Sequence, residues 1–82
     1  MLTITVKLFA AYQEAYQQPE LHLELPMGTT VAQVRDRLID EHPELAEWRE
    51  VTRFGVNYEF VASETVLQPE DELVLIPPVS GG

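Results

Sequence analysis

Residues 29–43 read TTVAQVRDRLIDEHP, the one long helical pattern in the sequence and the stretch that decides the fold. Val31, Val34 and Leu38, with Ile39 beside them, recur at the spacing that gives a helix a single apolar stripe. Thr30 precedes that stripe with a side chain able to cap, and Gln33 completes a capping-box pattern. Arg35, Asp36, Arg37, Asp40 and Glu41 fall on the remaining faces and are expected in solvent. Pro43 stops the pattern because the residue before a proline, His42, is pushed out of the helical region.

Upstream the period changes from a helix to strands. Leu2, Ile4, Val6 and Leu8 alternate with Thr3, Thr5 and Lys7, which predicts a strand with one buried face. Residues 10–17 (AAYQEAYQ) are good helix formers with Tyr12 and Tyr16 four apart, so a short helix or turn follows and Pro19 ends it. Leu21, Leu23 and Leu25 then alternate with Glu20, His22 and Glu24 in a second strand that Pro26 and Gly28 close.

Downstream, residues 43–48 (PELAEW) have room for one more turn, with Leu45 and Trp48 folding back as a lid. Residues 51–56 and 59–61 read as a short strand pair with Asn57 at the turn. Residues 62–71 form a polar loop in which Val66 and Leu67 tuck under the sheet. Leu73, Val74, Leu75 and Ile76 are apolar at every position. Such a run suits a strand covered on both faces, or one whose outer face is adhesive.

The order is therefore strand, strand, helix, then further strands. A right-handed connection through one helix places the first and last strands side by side and parallel. The expected architecture is α+β: a β-grasp, with a mixed sheet of four to five strands packed on one main helix. Residues 1–76 would form the domain and residues 77–82 a flexible C-terminal tail.

Composition narrows the function. The sequence has 82 residues, room for one domain with a modest core and no spacious catalytic cleft. Its net charge of −9, from 14 acidic and 5 basic residues, argues against nucleic acid and anionic membranes as partners. That charge either steers the protein to a basic partner or serves solubility alone. Without cysteine there is no disulfide, thiolate metal site or cysteine nucleophile. The absence of disulfides, of a basic leader and of a long apolar run points to a cytoplasmic protein. His22 and His42 lie far apart with no third ligand at metal spacing, so both read as structural and no metal is expected. The carboxylates Asp36, Asp40, Glu41, Glu44, Glu47 and Glu50 read as a solvated face.

The sequence closes on Pro77, Pro78, Val79, Ser80, Gly81 and Gly82. Two prolines favour a stiff, extended departure, and two glycines keep the end slender. Six residues can reach about 20 Å, enough to thread a channel in another protein. What such a tail presents is a terminal carboxylate, ionised and unreactive until activated, for example as an acyl-adenylate made from ATP.

The ending IPPVSGG, preceded by EDELVLIPP and VNYEFV, resembles the small, sulfur-carrier subunits of molybdopterin synthase, a ubiquitin-like β-grasp family. VKLFAAYQE and the HPEL segment after the helix also resemble that family, so the likeness covers nearly the whole chain. It departs from the family at Gln13, where Arg is frequent, and at Glu70, where Gly is frequent. The resemblance implies that Gly82, with Gly81, is the reacting terminus. It would be adenylated with ATP by an enzyme like those that activate ubiquitin, then converted to a thiocarboxylate by a sulfur donor system. It would pass sulfur to cyclic pyranopterin monophosphate inside the large synthase subunit, forming the molybdopterin dithiolene of the molybdenum cofactor. The chain itself would bind no cofactor, and it would catalyse nothing on its own within a heterotetrameric sulfurtransferase.

Phe9 follows Leu8 and so lies on the face opposite the core set, as do Val74 and Ile76 on the last strand, with Phe60 on a flanking strand. These residues predict an apolar docking patch at the root of the tail, although each could instead pack in the core. The positions of Phe9, Phe60 and Ile76 match the family's contact with its large subunit, and Pro77, Pro78, Val79 and Ser80 would follow into it. Two other readings stay open: a sulfur carrier for thiamine, cysteine or transfer-RNA thiolation, and a ubiquitin-like module for binding or conjugation.

Overall fold

The computed structural model describes residues 1–78. Strand β1 (Leu2–Leu8) leads through helix α1 (Ala10–Tyr16) into β2 (Glu20–Leu25), then helix α2 (Val31–Glu41) and a 3-10 helix (Pro43–Val51). Strands β3 (Arg53–Val56), β4 (Glu59–Val61) and β5 (Glu72–Ile76) complete the chain. They form one five-stranded sheet in the order β2-β1-β5-β3-β4. β1 and β5 pair in parallel, Leu8 opposite Leu75, and every other pair is antiparallel. This is the expected β-grasp.

The local devices act as the sequence predicts. Gln33 N donates to Thr30 Oγ1 at 3.2 Å and Thr30 N to Gln33 Oε1 at 2.9 Å, so both halves of the capping box close. Val31, Val34, Leu38 and Ile39 of α2 are buried against Leu2, Ile4, Val6 and Leu8 of β1 and against Leu73 and Leu75 of β5. Asn57 and Tyr58 both have positive φ, 51° and 73°, the signature of a type I′ hairpin turn whose twist matches its strands. Asn57 also ties that turn to the start of β5, accepting from Glu72 N at 3.0 Å and donating to Asp71 Oδ1 at 2.9 Å.

Five expectations need correction. The stretch from Pro43 is a nine-residue 3-10 helix rather than one turn, and β3 begins at Arg53 rather than at position 51. Thr52 explains the boundary. Its hydroxyl donates to Trp48 O at 2.7 Å, which closes the helical end and leaves Thr52 Oγ1 to accept from the buried Tyr12 hydroxyl at 2.8 Å. Arg35 does not stand in solvent, because its guanidinium lies 5.6 Å from the centroid of the Phe54 ring and donates to Arg49 O at 3.2 Å. Of the pair Val66 and Leu67, only Leu67 is buried; Val66 bridges to Thr30 at the surface. The acidic run is also partly engaged, with Asp36 paired to Arg35 and Arg49, and Glu41 to Arg37 and the Tyr16 hydroxyl.

Candidate functional site

With α2 on one face, the register fixes what the other face carries. Outward from the sheet point Glu20 and His22 of β2, Thr5 and Lys7 of β1, Glu72, Val74 and Ile76 of β5, Arg53 and Gly55 of β3, and Phe60 of β4. Lys7 lies at the seam, opposite Glu20 on one side and Val74 on the other. On its polar side Lys7 Nζ meets Glu20 Oε1 at 2.7 Å, and His22 Nε2 lies 3.2 Å from Glu20 Oε2. The hydrogen bond and charge of Lys7 hold the Glu20 carboxyl below its ordinary value, and Glu20 raises Lys7 in return.

On the other side the face is apolar. Phe60 is 73% exposed and Tyr58 91%, and between them and Val74 lies Gly55, which presents no side chain. A shallow groove results, lined by Gly55, Tyr58, Glu59, Phe60, Val74 and Ile76. A Cβ at Gly55 would meet only ordinary contacts, at 3.7 Å from Glu59 O and 3.8 Å from Val74 Cβ. Glycine is therefore not required by the backbone here; it leaves room. A second depression, lined by Phe9, Ala10, Val74, Ile76 and Pro77, adjoins the first at Val74 and Ile76. Together they make an apolar strip that runs from the β3–β4 turn to the point where the chain leaves β5. Both depressions are shallow, open and mainly apolar, so the strip has the character of a docking surface.

The sequence-predicted residues Phe9, Phe60 and Ile76 thus share one face, with Phe9 and Phe60 at opposite ends of the strip and Ile76 between them. Pro77 is buried and borders the second depression, whereas Pro78 is exposed. Val79, Ser80, Gly81 and Gly82 lie outside the described residues. Tyr58, Gly55 and Arg53 are part of the surface but were not evident as such in the sequence. The Asn57 turn was the available signal for Tyr58, and the strand register alone places the other two. His42 packs edge-on against Tyr16 with centroids 4.3 Å apart. Among the described residues no group of three or more His, Cys, Asp or Glu is placed to hold a metal, and no helix is long and apolar enough to cross a membrane.

Comparison with known proteins agrees with this geometry. The sequence matches the ThiS family over residues 6–82. It is 38% identical over 79 residues to the molybdopterin synthase sulfur carrier subunit of Arabidopsis thaliana, covering 96% of this chain and 82% of that protein. Among solved structures, the small archaeal modifier protein 1 of Methanosarcina acetivorans is 30% identical with a TM-score of 0.76, over 100% of this chain and 98% of the other. A chain from the complex of subunits 1 and 2 of the molybdopterin-converting factor of Helicobacter pylori shares the fold at 22% identity and a TM-score of 0.65, covering 99% of this chain and 100% of that one. A β-grasp sheet, an apolar outer face and a match that extends through Gly82 place the chain in the ThiS family, among relatives that include molybdopterin synthase sulfur carrier subunits.

Proposed function

We propose that this chain is the sulfur-carrier subunit of a molybdopterin synthase and that Gly82 bears the sulfur. The observation that carries the reading is the apolar strip from Phe60 to Phe9, which leads directly to the exit of the chain at Pro77. A large partner subunit gripping that strip would hold the point where the chain leaves β5, with Pro77 at its border. The name of the 38%-identical relative supplies the chemistry to be tested.

In this reading an oxygen of the Gly82 carboxylate attacks the α-phosphate of ATP in an activating enzyme like those that activate ubiquitin. Pyrophosphate leaves, and the carboxylate becomes a good electrophile. A sulfur nucleophile from the donor system then displaces AMP and leaves a thiocarboxylate. In the large subunit this sulfur passes to cyclic pyranopterin monophosphate and water supplies the oxygen that restores the carboxylate; two such deliveries, one sulfur from each thiocarboxylate, build the dithiolene of molybdopterin. This chain contributes a slender terminus in Gly81 and Gly82, a lead segment in Pro77, Pro78, Val79 and Ser80, and a docking face in Phe9, Phe60 and Ile76. It holds no cofactor of its own, and the reactions take place in the cytoplasm.

Intact-mass measurement after incubation with activating enzyme, ATP and sulfur donor tests the reading. Exchange of one oxygen for sulfur at Gly82 is expected, followed by its loss on addition of the large subunit and the pterin precursor. An unchanged mass, or conjugates on lysine as the modifier-like fold would allow, would refute it.

A further inference from the structure

We infer that Arg53 seats a carboxylate of the large partner subunit at the rim of the apolar strip and so fixes the register of docking. The inference rests on the docking role just proposed for that strip.

The cations of this chain are distributed unevenly. Lys7 pairs with Glu20, Arg35 and Arg49 with Asp36, and Arg37 with Glu41. Arg53, among the described residues, is within 4 Å of no carboxylate. Glu50 lines the same depression as Arg53 and does not close on it. In a chain of net charge −9, an exposed arginine without an internal carboxylate partner is out of keeping with the other four.

Its position gives that charge a use. Arg53 stands directly opposite Ile76 across the β3–β5 pair, on the outward face, at the last residue of β5 before the chain leaves the sheet. Cross-strand neighbours on one face have Cβ atoms about 5 Å apart. The depression that holds Arg53 also includes Phe60, so the guanidinium borders the strip on the side away from Lys7. A partner that covers Phe60 and Ile76 must also cover or flank Arg53. Leaving a guanidinium desolvated and unpaired beneath a docked protein is costly, whereas a planar carboxylate satisfies it with two parallel hydrogen bonds. The chain as a whole is acidic and would draw in a basic partner, so a single carboxylate meeting Arg53 also discriminates against a shifted or inverted dock.

The test is titration of the full chain against the large subunit at low and high ionic strength, with Arg53→Glu and, as a control of equal charge change on α2, Arg37→Glu. Arg53→Glu should weaken binding about tenfold or more at low salt, with a smaller deficit at high salt, and Arg37→Glu by less than about threefold. Arg53→Lys should recover part of the loss, since it restores charge but not the bidentate fork. Equal effects of the two reversals, or a deficit for Arg53→Glu that ignores salt, would overturn the inference while leaving the docking role intact. Failure of the unaltered chain to bind the large subunit would overturn both.

Discussion

Replacing Phe60 with alanine separates docking from folding. The side chain is 73% exposed, so of the roughly 200 Å² a phenylalanine can bury, about 150 Å² remains available to a partner. At about 25 cal/mol per Å², complete coverage of that area is worth about 3.7 kcal/mol. Incomplete coverage and the ordering of the ring remove about half, leaving about 2 kcal/mol, or a loss of about 30-fold in affinity. Phe60→Asp should lose more, because it also places an unpaired charge at the centre of the contact. The same exposure means that folding hardly uses the ring, and denaturant midpoints of both variants should change by less than about 0.5 kcal/mol in stability. Isothermal titration against the large subunit and urea unfolding of the free chain together make the measurement. Unaltered affinity would remove Phe60 from the docking surface; a stability loss above about 1 kcal/mol would show that it packs in the fold instead.

Two further outcomes follow from the interior and the backbone. Glu70 has φ +67°, a conformation costly for a side-chain-bearing residue, so Glu70→Gly should raise stability by about 0.5–1 kcal/mol in chemical denaturation, and a fall would show that the turn is not strained. Burial raises the Tyr12 and Tyr16 hydroxyls above their ordinary value, and the hydrogen bond to Glu41 raises Tyr16 further. A raised folded value means that stability is complete below the unfolded value, near pH 10, and declines as pH climbs above it. The double variant Tyr12→Phe with Tyr16→Phe should therefore show a flatter alkaline limb in unfolding experiments, and an identical limb would contradict the assignment.

The parts of the fold legible in the sequence are those with a strict period or a stereochemical rule. The alternation of β1, the capping box of Thr30 and Gln33, and the Asn57 turn each follow from a local constraint that tertiary contacts only reinforce. The 3-10 helix from Pro43 escaped because three residues per turn leave no apolar stripe of the usual helical kind. The charge of Arg35 points to solvent, yet its long stem and planar head suit the space over Phe54. The apolar run of β5 was ambiguous by itself. Only the sheet order reveals that one side, Leu73 and Leu75, is core while Val74 and Ile76 stay half-buried on the outer face. The candidate site was partly readable: parity located Phe9, Phe60 and Ile76, whereas Arg53 and Gly55 joined them only through cross-strand register.

The central place of β5 has a mechanical consequence. Residues 77 and 78 extend a strand that is hydrogen-bonded on both sides, to β1 and to β3. A pull along that strand, as when a partner draws the end of the chain inward or a protease tugs on it, loads both rows of bonds together in shear. Had the chain left from the edge strand β4, the same pull would load only the one short row that joins β4 to β3. The domain is thus built as an anchor that holds while its free end is drawn.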